Sequence, residues 1–195
     1  MIKTEGENRI VSLHYMGAAL AFETNQALFS PRYIDKGTLT MLGTVQFSPD
    51  DIVLDLGCGY GVVGIVAAQT VKPEHIYMTD VNSVAIACSA LNLQRNQVTG
   101  VQLLQSDLYE ALGDYRFTKI LCNPPYHTDF SIAKRIIEGG YRRLLPEGEL
   151  YLVTKRKEWY KRKCISVFGG VKITEKDGYF VFRSVKKKSL DTPQF

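Results

Sequence analysis

Residues 52–64 read IVLDLGCGYGVVG, and this stretch decides the fold. A run of strand length from Ile52 to Leu56, apolar except at Asp55, leads into glycines at positions 57, 59 and 61. The chain is then apolar again and predicts a helix from Val62 to Thr70. Glycine permits a sharp turn and leaves no side chain between the backbone and a ligand. The stretch therefore predicts a buried strand, a ligand-binding turn and a helix that covers the sheet.

Strand-like and helix-like segments alternate after this stretch. Short apolar runs bounded by turn residues predict strands, whereas apolar residues recurring every three to four positions predict helices. The further predicted strands span 75–79, 101–105, 119–122 and 150–154, and the further predicted helices span 35–47, 82–96, 129–145 and 157–168. Pro146-Glu147-Gly148 is expected to stop the helix before it. Such alternation is typical of a doubly wound α/β domain with a mainly parallel sheet.

The two ends of the chain have a different pattern. Residues 9–23 alternate between apolar and polar side chains around Gly17, which predicts a small N-terminal β-hairpin or flap. Residues 171–175 and 179–185 flank Asp177-Gly178, a strong signal for a tight turn between antiparallel strands. The sheet is therefore expected to end in an antiparallel C-terminal hairpin.

The composition is that of a globular domain with a small excess of positive charge. The 195 residues include 24 Lys and Arg against 20 Asp and Glu, and 45% are hydrophobic. The N-terminus lacks the apolar core of a signal peptide, and no apolar run approaches the length of a membrane span. We expect a cytoplasmic protein of a single domain over residues 1–195, with a flap in 1–34, a catalytic core in 35–188 and a tail in 189–195.

The four cysteines, at positions 58, 88, 122 and 164, are too far apart in sequence for a metal or redox pair. Their spacing does not suggest a disulfide framework either. We interpret Cys58 and Cys122 as small packing residues and expect no metal ion.

Basic residues form three clusters in the last third of the chain. Lys155-Arg156-Lys157 and Lys161-Arg162-Lys163 flank Glu158-Trp159-Tyr160, and Lys186-Lys187-Lys188 lies near the C-terminus. Basic side chains interleaved with aromatic rings suit a phosphate backbone with neighbouring bases. A solvated helix face and a charged tail are the alternative interpretation.

Three aspartates stand at the ends of successive predicted strands. Asp55 lies just before the glycines, Asp80 ends the second strand, and Asp107 follows the third strand within Ser106-Asp107-Leu108. Asp80 can accept hydrogen bonds from both hydroxyls of a ribose, and Asp107 from an adenine amino group. Asp55 would repel a pyrophosphate but can engage a cationic amino group, which favours S-adenosylmethionine over a nicotinamide dinucleotide. Each carboxylate also has a structural alternative: Asp55 could brace a turn, Asp80 could cap the next helix, and Asp107 could begin a loop.

The fourth of these strands runs into Asn123-Pro124-Pro125-Tyr126-His127. Consecutive prolines make the loop stiff, so its carbonyls point in fixed directions. A conjugated amino group is a poor nucleophile. Hydrogen bonds from its two N–H groups to the Asn123 side-chain oxygen and the Pro124 carbonyl would aim its lone pair at a methyl donor. Tyr126 can stack on the flat face of the substrate. An ordinary Pro-Pro turn is the alternative.

In this order and spacing, DLGCGYGVVG, TDVN, SDL and NPPYH resemble the class I S-adenosylmethionine-dependent methyltransferases. More narrowly, they resemble the methyltransferase small domain family, which includes the small-subunit ribosomal RNA guanine-N2 methyltransferases. Residues 29–31 (FSP) and 35–38 (DKGT) are similar to the family's segment before the first strand, which helps to close the cofactor pocket. The resemblance covers residues 20–188.

The resemblance implies a seven-stranded Rossmann-like sheet and S-adenosylmethionine as cofactor. The implied catalytic residues are Asn123, Pro124 and Tyr126. The implied cofactor contacts are Asp55, Gly57, Cys58, Gly59, Gly61, Asp80, Val81, Asn82, Ser106, Asp107, Leu108 and Asn123.

The predicted function is N-methylation of an exocyclic amino group of an RNA base, with guanine N2 in ribosomal RNA as the first choice. The alternatives are methylation of a glutamine side chain (N5) in translation release factors and methylation of adenine N6. Two-domain members of the family carry an additional N-terminal domain that helps to hold RNA. The 195 residues include no such domain, so we expect a homodimer or an assembled RNA–protein substrate to supply that surface.

Overall fold

The computed structural model describes residues 9–124 and 129–188. Within these ranges the strands are β1 (Arg9–Tyr15), β2 (Ala18–Thr24), β3 (Val53–Leu56), β4 (Ile76–Asp80), β5 (Gln102–Gln105), β6 (Phe117–Cys122), β7 (Leu144–Thr154), β8 (Lys172–Lys176) and β9 (Tyr179–Val185). The helices are α1 (Lys36–Leu42), α2 (Val62–Ala67), α3 (Ser83–Arg95), α4 (Phe130–Arg143) and α5 (Glu158–Phe168). No helix of the described part of the chain is long and apolar enough to cross a membrane.

Seven strands form one sheet in the order β5-β4-β3-β6-β7-β9-β8. Strands β3 to β7 are parallel, and β9 runs antiparallel between β7 and β8. This confirms the predicted mainly parallel sheet with a C-terminal hairpin. The strand order reverses between β3 and β6, and doubly wound sheets bind ligands beyond the carboxyl ends of the strands at such a point.

Helices cover both faces of the sheet, as a doubly wound fold requires. On one face, residues of α1, α2 and α3 pack with the sheet in a buried cluster that includes Met41, Ile65 and Met78. On the other face, α4 and α5 bury side chains that include Ile137 and Phe168. The two helix layers hold β3 and β6 between them, so the carboxyl ends of these strands sit on a rigid base.

The predicted N-terminal flap is the antiparallel hairpin β1–β2, and it packs against α3. Two asparagines one helical turn apart bind the exposed backbone edge of β2. Asn92 accepts from the Glu23 N–H (2.6 Å) and donates to the Glu23 carbonyl (2.8 Å). Asn96 accepts from the Ala21 N–H (3.0 Å) and donates to the Ala21 carbonyl (2.8 Å). The side-chain amides thus take the place of a neighbouring strand and fix the hairpin on the helix.

The junction between α4 and β7 differs from the prediction. Helix α4 ends at Arg143, and Leu144 already pairs with Phe117 of β6, whereas the sequence predicted a helix to residue 145 and a strand only from residue 150. Pro146-Glu147-Gly148 lies inside β7 as an irregularity in its pairing with β6, with Glu147 at φ 66°. A Cβ on Gly148 would lie 3.0 Å from the Phe117 carbonyl oxygen. The turn residues therefore mark a bulge between two paired stretches of strand, and Leu144 leaves the helix because it is buried against β6.

Helix α1 is also shorter than predicted, because it ends at Leu42 and not at residue 47. Gly43 caps it by donating its N–H to the Leu39 carbonyl. Asp35 begins the helix as predicted, and its side chain accepts the Thr38 N–H. Asn82 in the same way caps α3 by accepting the Val84 N–H. The local capping signals were therefore sound, while helix length depended on packing.

Candidate active site

A cavity of about 420 Å³ opens at the carboxyl edge of the sheet, where the strand order reverses. Its volume is in the range of small-molecule sites, roughly 300–1,000 Å³. The predicted site residues that line it are Asp55, Gly57, Cys58, Gly59, Asp80, Val81, Asn82, Ser106, Asp107, Leu108, Asn123 and Pro124. Tyr126, and with it the predicted stacking contact, lies outside the described residues.

The glycine turn after β3 forms one side of the cavity. Gly57 and Gly59 have positive φ (77° and 56°), and a Cβ built on either would meet no atom within 4 Å. These two glycines are therefore required by backbone conformation, and they leave the turn open towards the cavity. Gly61 (φ 95°) is not among the lining residues; a Cβ there would lie 3.0 Å from Met78 and 3.1 Å from Ser89. Its place in the motif is explained by close packing of α2 on the sheet and on α3.

Asp80 joins the glycine turn to the end of β4. Its carboxylate accepts the Gly59 N–H at 2.9 Å through one oxygen and the Asn82 N–H at 2.9 Å through the other. Each oxygen of a carboxylate can accept more than one hydrogen bond, so both can still accept from a ligand in the cavity. The residue thus both shapes the turn and faces the cavity.

Asp55 is a buried carboxylate at the base of the cavity, 3% exposed. Burial raises the pKa of this carboxyl from its ordinary 3.8 to about 7; the Gly64 N–H, which it accepts at 3.0 Å, lowers the pKa and the charge of Asp80 raises it further. No lysine or arginine among residues 9–124 and 129–188 forms an ion pair with Asp55. A buried carboxylate that faces a cavity without a cation is a strong acceptor for a positively charged ligand group.

The far side of the cavity is bounded by the turn after β5 and by α4. Asp107 is half exposed, and Arg135 of α4 binds it at 2.9 Å. Ser106 braces the turn, because its hydroxyl accepts the Ala111 N–H and donates to the Leu108 carbonyl, both at 3.0 Å. Ile132 and Ile136 of α4 also line the cavity. The sequence showed them as apolar helix positions, but not that they form a wall of the site.

The segment between β2 and α1 closes the cavity from the other direction. Its lining residues are Ala27, Leu28, Phe29, Ser30, Ile34 and Asp35. Phe29 is 50% exposed, so an aromatic ring stands at the opening of the cavity. This location agrees with the role that the family resemblance implies for residues 29–38.

Asn123 directly follows β6, the strand that lies next to β3 where the strand order reverses. Its side-chain nitrogen donates to Asp35 Oδ2 at 2.8 Å and to Thr38 Oγ1 at 2.9 Å. A carboxylate can only accept, so the nitrogen and not the oxygen of the amide must face Asp35. The amide oxygen, Oδ1, is buried and has no hydrogen-bond partner among the residues that the structure describes. Asn123 lines the cavity, and its amide therefore keeps a buried acceptor that no described residue satisfies.

Two buried cysteines line the cavity, and their burial disfavours the thiolate form. Cys58 and Cys122 line it, and burial raises the pKa of both thiols well above the ordinary value, with the charges of Asp55 and Asp80 acting in the same direction. A thiol held in its neutral form is a weak nucleophile and a poor metal ligand. Both residues therefore act as small packing groups beside the site.

Comparison with known proteins finds relatives over most of the chain. Ribosomal RNA small subunit methyltransferase C of Mannheimia succiniciproducens is 33% identical over 162 residues, which cover 81% of this chain and 48% of that protein. Ribosomal RNA large subunit methyltransferase G of Alteromonas mediterranea is 30% identical over 184 residues, which cover 89% of this chain and 45% of that protein. This chain thus spans about half the length of these two relatives. A Bacillus subtilis protein, the uncharacterized YbxB, is 30% identical and aligns over 85% of both chains.

The fold is shared with a solved ribosomal RNA methyltransferase. The 16S rRNA guanine-N2 methyltransferase of T. thermophilus, solved with AdoMet (S-adenosylmethionine) and guanosine, superposes with a TM-score of 0.84 and 25% identity, over 92% of this chain and 51% of that one. The sequence model of the methyltransferase small domain matches residues 19–183. The cavity lies beyond the carboxyl ends of the strands, where open α/β sheets bind their ligands. The chain therefore belongs to the methyltransferase small domain family and is an S-adenosylmethionine-dependent methyltransferase.

Proposed function

We propose that this enzyme methylates the N2 amino group of a guanine in ribosomal RNA. The observation that carries the proposal is the Asn123 amide, whose buried oxygen has no described hydrogen-bond partner while both N–H groups are bound. An acceptor in this place suits a substrate that offers N–H donors, as an exocyclic amino group does. The choice of guanine rests on the T. thermophilus relative, which acts on guanine N2 and was solved with guanosine.

The residues of the cavity fit S-adenosylmethionine. Asp80 offers both carboxylate oxygens to the ribose hydroxyls, and the turn through Gly57 and Gly59 leaves room for the ligand beside the backbone. Asp55 would hold the cationic amino group, because it is buried and no described residue pairs with it as a cation. The apolar wall of Val81, Ile132 and Ile136 suits an adenine ring, with Asp107 as acceptor for its amino group.

The protein contributes to the reaction chiefly by positioning. The bound cofactor supplies an activated methyl group on a sulfonium. Asn123 Oδ1 and the Pro124 carbonyl accept the two N–H groups of the substrate, which turns the nitrogen lone pair out of conjugation with the ring. As the nitrogen gains positive charge, both acceptors bind its protons more strongly, so the arrangement stabilises the transition state more than the ground state. The extra proton then leaves to solvent or to a nearby group.

The proposal is tested by transfer of labelled methyl groups to ribosomal RNA, followed by nucleoside analysis. We expect label in N2-methylguanosine and in no other nucleoside. Label in N6-methyladenosine, or in methylated glutamine when release factors are offered in place of RNA, would overturn the choice of substrate while leaving the enzyme class intact.

Cofactor affinity should depend on pH through Asp55. Its pKa in the free protein is raised by burial to about 7, and a bound ammonium group would stabilise the carboxylate and lower that pKa. Affinity should therefore fall as pH drops below 7, by up to about tenfold per pH unit and roughly 20-fold between pH 7.5 and 5.5. Calorimetry across this range measures the effect, with proton release on binding as a second readout.

Asp55→Asn is the control for this prediction, because the amide keeps the shape but does not titrate in this range. Its affinity should be low and nearly independent of pH between 5.5 and 7.5. An affinity profile of Asp55→Asn that matches wild type would refute the assignment.

The stability of the cofactor-free protein should show the opposite dependence on pH. The folded-state pKa of Asp55 lies above its ordinary value, which stabilises the fold at low pH, and this contribution is lost as pH rises through about 7.

The basic clusters are only partly available to RNA. Lys157 pairs with Glu175 at 3.2 Å, Lys163 pairs with Glu138, and Lys188 pairs with Glu147 at 3.1 Å. Arg156 and Lys161 are exposed and form no ion pair with any described residue. Arg156 lies over the ring of Phe130, 5.1 Å from its centroid, at the start of the helix that follows the Asn123 loop. These two side chains are therefore proposed to contact the RNA backbone.

The double variant Arg156→Gln, Lys161→Gln should bind ribosomal RNA about tenfold more weakly near 0.1 M salt, with a salt slope reduced by roughly 0.7 to 0.9 per lost contact. Filter binding over a salt series measures both quantities. The matched control is Lys72→Gln, Lys172→Gln, since these exposed lysines lie at the amino ends of β4 and β8, at the opposite edge of the sheet. Equal losses in both variants would show a general charge effect and no specific surface.

A further inference from the structure

We propose that Asp35 and Thr38 are positioning residues for methyl transfer, which hold the Asn123 amide with its oxygen towards the substrate and increase the negative charge on that oxygen. The inference rests on the proposed function in one respect, namely that Asn123 accepts a hydrogen bond from the substrate amino group. The two residues would act on a single atom, the side-chain oxygen of Asn123. This role goes beyond the closure of the pocket that the family resemblance implies for residues 35–38.

The geometry leaves the amide one orientation. Both N–H groups of Asn123 are bound, one to Asp35 Oδ2 at 2.8 Å and the other to Thr38 Oγ1 at 2.9 Å. A flipped amide would place its oxygen against a carboxylate that cannot donate, while the nitrogen would face the substrate's own donors. Asp35 and Thr38 are each 8% exposed, so water competes little for these bonds. The pair therefore selects the accepting side of the amide for the cavity.

The position of Asp35 is itself fixed by the helix that it begins. The oxygen that binds Asn123 also accepts the Thr38 N–H at 2.9 Å, so the first turn of α1 holds the carboxylate. Gly37 keeps the space that this requires, because a Cβ there would lie 2.8 Å from Asp35 Oδ2 and 2.8 Å from the Tyr179 ring. The start of α1 thus fixes the position of a residue just after β6 that is 88 positions away in sequence.

The charge of Asp35 has a second effect. An amide that donates to a carboxylate is polarised, because hydrogen bonds in a chain strengthen one another where the dielectric constant is low. The Asn123 oxygen then accepts more strongly from a nitrogen that becomes positive during the reaction. This effect acts on the transition state, so it should appear in kcat and not in cofactor affinity.

The test separates the capping role of Asp35 from its role at Asn123. Asp35→Ser keeps a cap for the Thr38 N–H, but its shorter side chain cannot reach Asn123. We expect kcat for methyl transfer to ribosomal RNA to fall on the order of 10- to 100-fold, with cofactor affinity within about threefold of wild type. Thr38→Val should lower kcat by a smaller factor, and Thr38→Ser should restore it.

Asp51→Ser is the matched control for lost stability. Asp51 is a buried carboxylate that caps the Ser48 N–H and pairs with Lys119 at the amino end of β3, at the opposite edge of the sheet. This variant should be less stable and retain the wild-type kcat. A wild-type kcat in Asp35→Ser, or an equal loss of kcat in Asp51→Ser, would overturn the inference.

Hydrogen exchange of the Asn123 side-chain amide, followed by NMR in the cofactor-bound enzyme, is a readout that needs no substrate. Its protons should exchange slowly in wild type and at least about tenfold faster in Asp35→Ser, because both are protected by buried hydrogen bonds. If wild type does not methylate ribosomal RNA, the proposed function fails, and this measurement still decides the inference. Unchanged exchange in Asp35→Ser would contradict it whatever the substrate is.

Discussion

Asn123→Ala should reduce kcat for methyl transfer on the order of 10²–10³-fold, with a much smaller change in KM. The substitution removes the buried Oδ1 acceptor, whose proposed contact with the substrate nitrogen would grow stronger as the reaction proceeds. The glycine turn and Asp80 are unchanged, so calorimetry should give a cofactor affinity within about threefold of wild type. Single-turnover kinetics at saturating cofactor measure the loss in the chemical step.

The variant Asn123→Asp tests the same contact with more detail. Its second carboxylate oxygen would take the place of the amide nitrogen, 2.8 Å from the carboxylate oxygen of Asp35. Two carboxylates at this distance repel unless they share a proton, so the activity of the variant should be low and should rise as pH falls. Adding Asp35→Asn restores a pair of one amide and one carboxylate, and the double variant should recover part of the loss. A folded Asn123→Ala enzyme with wild-type kcat would remove the basis of the proposed mechanism.

Asp80→Ala should weaken S-adenosylmethionine binding on the order of 100-fold. Two charge-assisted hydrogen bonds to the ribose hydroxyls would be lost, each contributing roughly 1.5–3 kcal/mol, and the losses overlap in part. The substitution also removes the acceptor for the Gly59 and Asn82 N–H groups, both at 2.9 Å, and so loosens the glycine turn. Calorimetry of the folded variant measures the effect directly.

Two further variants serve as comparisons for the loss of cofactor affinity in Asp80→Ala. Asp80→Asn keeps one acceptor of the same shape and should lose less affinity than the alanine variant. Asp107→Ala is the matched control, because this carboxylate also lines the cavity but is half exposed and paired with Arg135 at 2.9 Å. Its loss should be only a fewfold, since solvent screens an exposed contact. An Asp80→Ala affinity within threefold of wild type would show that Asp80 serves the turn alone.

The local signals in the sequence predicted most of the fold. Glycines at 57 and 59 take positive φ as the turn requires, Asn82 and Asp35 cap their helices, and Asp177-Gly178 joins β8 to β9. Each of these depends on residues within a few positions of one another, so the chain itself contains the information. The N-terminal hairpin and the parallel sheet were likewise predicted from periodicity, and the structure confirms both.

The errors lie where a distant partner overrides a local signal. Pro146-Glu147-Gly148 indicated the end of a helix, but pairing of Leu144 with Phe117 draws the chain into β7 earlier and turns these residues into a bulge. The helix after Asp35 was predicted too long, because apolar residues that pack on the sheet continue beyond Gly43 without helical structure. Packing decides such boundaries, and a single sequence does not contain the partner's position.

The sequence by itself determined the family, the glycine turn and the strand ends that carry Asp55, Asp80, Asp107 and Asn123. It could do so because parallel strands bring their carboxyl ends to one edge, so residues in equivalent positions meet there. Only the tertiary structure decided how Asn123 is oriented. The carboxylate of Asp35 lies 88 positions away, and a hydrogen bond over that separation exists only after helix α1 has packed beside the end of β6.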